Sequence, residues 1–344
     1  MTEVLAIDPG FSEVRVAVLA PGGEAELHTL RPSVDPFGWF EGRYGACPSG
    51  IVIAGGYYAP CSPGTYPIDE RMAEDAARLA GWHPRNRMTV RAFEYCRRHG
   101  IPGVAVDPMS SVVLPEEARF TGSTMVERRG IYYAFPERPA FVSACASLGL
   151  DPEVARGISA YLGDEVSVAS HHGSRAMATG DPIACEGPFG MTGAGTLPAT
   201  AFIDWLDETG RGSGSGDEIR ESLKRRSGVF AYAGVTSMTE LRRELARESL
   251  QATRAVRAMA YQVSKEIGRA MAALKGRAEV IVLTGPGASL DLLLSGIEER
   301  VAKWCRVACV AQDDCMRVLA REGSAALTAE SLLSHSERRG PDVV

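Results

Sequence analysis

Two similar lobes of alternating strands and helices are what this sequence predicts, and three observations carry the prediction. The chain opens on an apolar strand–turn–strand unit, Val4–Ile7, then Asp8-Pro9-Gly10, then Val14–Leu19. The same unit returns at Ala160–Leu162 and Val166–Ser170 around Gly163-Asp164-Glu165. Between and after these units, short β-branched runs alternate with longer helical patterns, which is the signature of an α/β protein. A recurring opening of this kind suggests an internal duplication. At 344 residues the chain is long enough for two domains that each bury a core.

Taken in order, Pro9 and Gly10 punctuate the first two strands, and a third strand follows around Ala25–Leu30. Gly50–Ala54 reads as a short buried strand ending in Gly55-Gly56. Helices are expected over Asp69–Leu79 and Met88–His99, the latter closed by Gly100 and Pro102, and Val104–Asp107 is the next strand. The second lobe begins near Ile158. Pro198–Thr209 reads as an amphipathic helix and Arg211–Gly216 as a flexible Gly/Ser loop. Met238–Leu274, rich in Ala and Leu and free of proline, reads as one continuous helix. Glu279–Leu283 is a strand followed by Thr284-Gly285-Pro286-Gly287, Val307–Val310 the last strand, and Asp313–Leu327 the last helix.

Composition narrows the functional classes. The chain is 45% hydrophobic and 23% charged, as in globular proteins, and its formal charge of −6 argues against nucleic acid as a partner. Short basic runs, Arg85 with Arg87 and Lys224 to Arg226, read as solvated helix faces. The start goes straight into a strand, and no apolar stretch is long enough to span a bilayer, so a cytoplasmic location away from membranes is expected. Eight cysteines without regular spacing read as reduced thiols, and Cys305, Cys309 and Cys315 match no zinc pattern.

Three glycine-bearing turns end strands: Asp8–Gly10, Gly163–Glu165 and Gly285–Gly287. Such turns let backbone amides approach an anion, although a turn between strands also takes glycine for purely conformational reasons. Their positions at corresponding ends of two lobes point to a phosphate in the cleft between them.

The residues also resemble a known family. Glu186-Gly187-Pro188-Phe189 with Gly195-Thr196-Leu197-Pro198 is similar to the butyrate kinase branch of the acetate and butyrate kinases. So are Gly55-Gly56 with Ser62-Pro63-Gly64-Thr65-Tyr66, Gly81-Trp82-His83-Pro84-Arg85-Asn86, Gly100-Ile101-Pro102 and Val106-Asp107-Pro108. Glu127-Arg128-Arg129, Ala258-Met259-Ala260-Tyr261-Gln262, Lys265-Glu266-Ile267-Gly268 and Ile281-Val282-Leu283-Thr284-Gly285 continue the match in family order. The resemblance implies two ribonuclease-H-like lobes of the actin-like ATPase superfamily. On that pattern residues 1–157 form the substrate-side lobe and 158–318 the nucleotide-side lobe, with 319–344 a helix returning to the first lobe and a tail. It also implies a dimer or larger oligomer, and transfer of the ATP γ-phosphate to a short carboxylate, with ATP/ADP and Mg²⁺ as cofactors and no tightly bound one besides.

Carried over residue by residue, the resemblance gives Asp107, His83 and Asn86 as catalytic candidates, with Asp107 and Asp8 for the metal. Nucleotide candidates are Asp8, Gly10, Ser12, Gly163, Gly285 and Gly287; substrate-side candidates are Gly55, Gly56, Thr65, Tyr133, Glu186 and Gly187. Residue types alone leave His83 open as a helix-start histidine and Asp107 as a strand-end turn residue. Departures from the pattern fall on the same parts. Phe11 and Glu13 replace small hydroxyl residues, Asp164 and Glu165 put carboxylates in the second turn, Ala54 and Gly193 stand where the family has arginines, and Tyr133 replaces a histidine. Arg128, Arg129 and Arg138 are the neighbouring guanidiniums that could reach in. Three functions remain open on this reading: a diverged kinase of a carboxylate or another small acceptor, a catalytically degenerate paralogue that pairs with itself or a related chain as a binding or assembly partner, or a module whose cleft binds a non-nucleotide ligand.

Overall fold

A computed structural model describes residues 3–328 apart from 21 and 113; the expected tail, 329–344, lies outside the described residues. In the first half, β1 (Val4–Pro9), β2 (Val14–Leu19) and β3 (Ala25–Leu30) are followed by α1 (Pro36–Tyr44), β4 (Gly50–Ala54), β5 (Thr65–Pro67), α2 (Glu70–Ala80), α3 (Pro84–His99), β6 (Gly103–Val106), α4 (Glu116–Arg119) and α5 (Ala134–Ser147). The second half runs β7 (Arg156–Leu162), β8 (Val166–His172), β9 (Arg175–Thr179), α6 (Ala199–Glu208), α7 (Gly216–Arg225), α8 (Gly228–Ala233), α9 (Met238–Ala246), α10 (Leu250–Ala273), β10 (Val280–Thr284), α11 (Asp291–Val301), β11 (Arg306–Cys309) and α12 (Gln312–Leu327).

The strands form two sheets, ordered β3-β2-β1-β4-β6-β5 and β11-β10-β7-β8-β9. Each contains an antiparallel hairpin, β1–β2 in one and β7–β8 in the other, whose first strand pairs in parallel with a later one, β4 and β10. β4 and β10 are buried at every position, and their near-continuous Ile/Val content follows from being covered on both faces. The repeated opening in the sequence is therefore a repeated sheet architecture.

Three apolar clusters lie in series. One packs Leu5, Ile7, Ile51 and Ile53 against α1–α3, and another packs Ile158, Leu162 and Leu283 against α8–α11. Between the sheets, Val52 and Val104 from the first and Val280 and Val282 from the second meet Phe141 of α5 and Met316 and Leu319 of α12. Here α5 lies on β7 and β10, and α12 on β1, β2, β4 and β6. The closeness of α12 is set by Gly323, where a Cβ would come within 2.2 Å of Val52.

Some expected elements differ. Met238–Leu274 is two helices, broken at Glu248, which takes φ 57°, after which the Ser249 side chain accepts from Ala252 N and starts α10 afresh. Arg211–Gly216 is not an open loop: Arg211–Ser213 forms a 3₁₀ turn and Ser215 caps α7. The elements α1, β5, α4, α5, β9, α7 and α8 were not expected from the sequence. All eight cysteines are free, and among the described residues no helix is long and apolar enough to cross a membrane.

Candidate functional site

The two hairpin turns face each other across the cleft. Residues 8–13 come from the β1–β2 hairpin and residues 163–165 from the β7–β8 hairpin, while α3 and the segment leading into α5 close the sides. Asp8 ends β1, is 6% exposed, and is held by Arg85, whose Nη2 donates to Oδ1 at 2.8 Å. Gln312 Nε2 lies 3.4 Å from the other oxygen. Arg85 is only 1% exposed; its Nη1 donates to Phe135 O at 2.8 Å and its guanidinium lies over the Tyr133 ring, 4.7 Å from the centroid.

A second charged group sits on the opposite side. Glu165, 3% exposed, accepts from Lys224 Nζ and from the Tyr133 hydroxyl, the latter at 2.6 Å; His83 Nε2 lies 3.4 Å from the same carboxylate oxygen as Tyr133. Lys224 also donates to Pro182 O. Burial works to raise the Glu165 pKa, but Lys224 and His83 hold it down at about 2. Burial pushes His83 below the ordinary imidazole value. Its Nδ1 accepts from Arg85 N as the N-cap of α3, so the neutral ring carries its proton on Nε2, facing Tyr133 and Glu165. His83 is thus a helix-start histidine, as its residue type allowed, with its second ring nitrogen turned toward the cleft.

Here the sequence reading needs a correction. The basic runs at Arg85 and Lys224 are not uniformly solvated. Arg87, Arg225 and Arg226 are exposed, but Arg85 and Lys224 are buried at the centre of the cleft. A signal for Arg85 existed, because positions 85, 88, 89, 92, 95 and 96 form one buried stripe along α3.

The remaining candidates fall into three groups. Asp107 is fully buried with φ 47°, and Arg138 Nε donates to both its oxygens at 2.9 and 2.7 Å, while Arg138 Nη2 reaches Glu322. Burial raises the Asp107 pKa, against the pull of Arg138. Asn86 has its side chain committed: Oδ1 accepts from Tyr57 N and Nδ2 donates to Tyr57 O and Ala76 O. Gly55 and Gly56 are packing glycines, since Cβ atoms there would come within 2.6 Å of Pro108 and of the Asn86 side chain. Gly285 and Gly287 pack against Tyr161 and Leu162, and a Cβ on Gly163 would lie 2.4 Å from the Tyr161 ring. Thr65 pairs with Val106 in the β5–β6 ladder. Glu186 is held by Arg128 at 2.6 Å and Arg269 at 3.2 Å, Gly187 N donates to the Thr196 hydroxyl, and Arg129 pairs with Asp181. Of the three arginines considered from sequence, Arg138 alone reaches a catalytic candidate.

Mg²⁺ needs open carboxylate oxygens with room for water around it. The donors do not fit it as arranged, because Asp8 and Asp107 are each closed by an arginine, and among the described residues no group of three or more His, Cys, Asp or Glu assembles. The cavity enclosed by Asp8, Ser12, Arg85, Tyr133 and Asp164 measures about 20 Å³, and the one beside Glu165, Pro182 and Gly193 about 10 Å³. Each has room for about one water. A larger hollow of about 390 Å³ adjoins the first turn, lined by Phe11, Trp82, Pro84, Lys224 and the outer face of α7.

The chain is similar to known proteins in sequence and fold. The model of the acetokinase family matches residues 139–334. A probable butyrate kinase of Listeria innocua is 32% identical over 279 residues, covering 81% of this chain and 77% of that protein. One from Maridesulfovibrio salexigens is 28% identical over 355 residues, covering 96% and 97%. Among solved structures, a propionate kinase from Francisella tularensis superposes with a TM-score of 0.73 at 17% identity, covering 94% of this chain and 100% of that one. An acetate kinase from Porphyromonas gingivalis gives 0.69 at 20%, covering 95% and 100%. At those identities the structures speak to the fold alone, a two-sheet α/β fold shared with the acetate and propionate kinases.

Proposed function

The chain belongs to the acetokinase family, and from that premise we propose that it is a member whose phosphate cleft is filled by its own side chains and which acts as a binding or assembly partner instead of a carboxylate kinase. It is acetate- and butyrate-kinase-like in sequence and fold. The observation that carries the reading is the closed pairing of the cleft charges. Arg85 is spent on Asp8 and Lys224 on Glu165, and the small cavity beside each pair, inside the larger outer hollow, admits about one water. Phosphoryl transfer depends on cations and a metal free to neutralise charge that develops in the transition state. A guanidinium bound to a buried carboxylate must first break that pair, at a cost of several kcal/mol by the general behaviour of buried pairs.

A second reading rests on Arg85 itself. The family reaction implied by the sequence is ATP plus a short-chain carboxylate giving ADP and an acyl phosphate, with Mg²⁺. Arg85 supplies a guanidinium over the Tyr133 ring even though Ala54 and Gly193 lack one. If the lobes open and Asp8 releases it, that group can grip a phosphate. The test is ATP- and Mg²⁺-dependent acyl phosphate formation, trapped with hydroxylamine across a series of short carboxylic acids. The filled-cleft reading expects no hydroxamate above the background of an Arg85→Met variant. Hydroxamate that depends on Arg85 would establish the kinase instead. In the cytoplasmic, partner-binding role proposed here, the partner is a second copy or a related chain with its arginines intact.

A further inference from the structure

We propose that Asp164 is a built-in surrogate oxyanion: a carboxylate from the second lobe seated on the backbone amides of the first lobe's turn, which must leave before sulfate, phosphate or a nucleotide can reach them. The inference rests on the filled-cleft reading and names the group that does the filling on the first turn.

Asp164 Oδ2 accepts from Ser12 N at 2.8 Å across a separation of 152 residues. It lies in the hollow over Gly10, where a Cβ would stand 2.9 Å from that same oxygen. The Phe11 amide and the Ser12 hydroxyl also favour its charged form. Successive N–H groups around a small concavity are what the backbone offers to oxyanions. The delivering peptide is fixed: Asp164 O accepts from Gly193 N at 2.8 Å and Thr192 N at 3.1 Å, and Gly163 O accepts from Met191 N at 2.9 Å.

The contrast with Glu165 explains why this contact is the releasable one. Among the described residues Asp164 forms no ion pair. The charged and titratable groups around it are engaged elsewhere. From the first hairpin, Arg15 pairs with Glu13 and with Asp313 of α12, and Asp8 pairs with Arg85 of α3. His83, at the start of α3, and Tyr161 of β7 are neutral, as is Gln312 of α12. Dipoles alone hold the Asp164 charge, and burial pushes its pKa up to about 6.

The experiment measures thermal stabilisation by sulfate, at ionic strength held constant with chloride, for the full chain and for Asp164→Ala and Asp164→Asn. Sulfate keeps its charge across the range, so any pH dependence belongs to the protein. At about pH 8 the wild-type chain should be indifferent to sulfate, while both variants should show saturable stabilisation, at least about tenfold tighter than wild type. Near about pH 5, below the Asp164 value, wild type should gain the response and Asp164→Asn should not change. Asp164→Asn keeps the shape of the side chain and covers the case in which Asp164→Ala does not fold. Two variants as indifferent as wild type overturn the proposal, as does wild type binding sulfate equally well at about pH 8. Those outcomes leave the filled-cleft reading standing on Arg85 and Lys224; ATP binding by wild type would overturn that reading instead.

Discussion

Residues 8–13 and residues 163–165 occupy corresponding positions in the two sheets and offer opposite chemistry. The first turn presents backbone amides, with its carboxylates Asp8 and Glu13 already paired with Arg85 and Arg15. The second presents two carboxylates: Asp164 goes to the first turn's amides and Glu165 to Lys224, Tyr133 and His83. In a cleft built to hold a polyanion the two turns would both be donors. Here one turn is the other's ligand. The duplicated architecture has been kept while its two halves have become complementary, which is how a fold persists after the site grafted on it has changed.

The largest effect expected from breaking this complementarity is at Lys224. Lys224→Met strands a buried carboxylate and should cost about 3–5 kcal/mol in denaturant unfolding. Adding Glu165→Gln should recover much of the loss, and a double variant no more stable than the single one would mean that the pair is not what holds α7. The same pair sets an acid limit. The folded Glu165 value of about 2 lies below its ordinary 4.5, so its contribution is present above about pH 4.5 and is lost as pH falls toward 2. A stability profile of Glu165→Gln should be flatter than wild type over that window.

Glu137 works with the opposite sign. It is fully buried between the Ser159 and Ser167 hydroxyls, and burial raises it from 4.5 to about 8. Its contribution is therefore full below about pH 4.5 and is lost as pH rises through 8, so Glu137→Gln should lessen the alkaline decline. Next in size is Tyr133→Phe, which removes a donor from Glu165 and should cost about 1–3 kcal/mol in the same unfolding assay. Smaller still is the difference between the two turn glycines. Gly163→Ala pushes a Cβ into the Tyr161 ring and should cost about 1–3 kcal/mol, whereas at Gly10 the obstacle is the end of the Asp164 side chain, which can yield. Equal losses at both positions would mean that Asp164 is held as rigidly as Tyr161.

Much of the fold was legible because strands and their turns are local: β-branched runs ended by Pro9-Gly10 or Gly285-Pro286 need no tertiary information. What was missed depended on context. α5 carries Pro136 and Pro139 and a non-helical Phe135, so its sequence reads as broken, and it is the packing between the sheets that assembles it. α7 hides behind the Gly/Ser run before its Ser215 cap. Glu248 interrupts a stretch of good helix formers without glycine or proline to mark the break. At the site, the sequence singled out Asp8, His83, Tyr133 and Asp107 and had Arg138 in view, but not the pairing of Arg85 with Asp8 or of Lys224 with Glu165. A charge inside a basic run looks solvated until the opposing lobe is in place, and Lys224 meets Glu165 from 59 residues away.

The central claim is that the cleft is closed to nucleotide by its own charges. Calorimetric titration of the full chain with ATP and with ADP, with and without Mg²⁺, tests it most directly. The account predicts no binding heat and no thermal shift at nucleotide concentrations on the order of 1 mM, a level at which weak specific sites are occupied. Micromolar binding, strengthened by Mg²⁺ and lost in Arg85→Met, would contradict it and return the chain to the kinases.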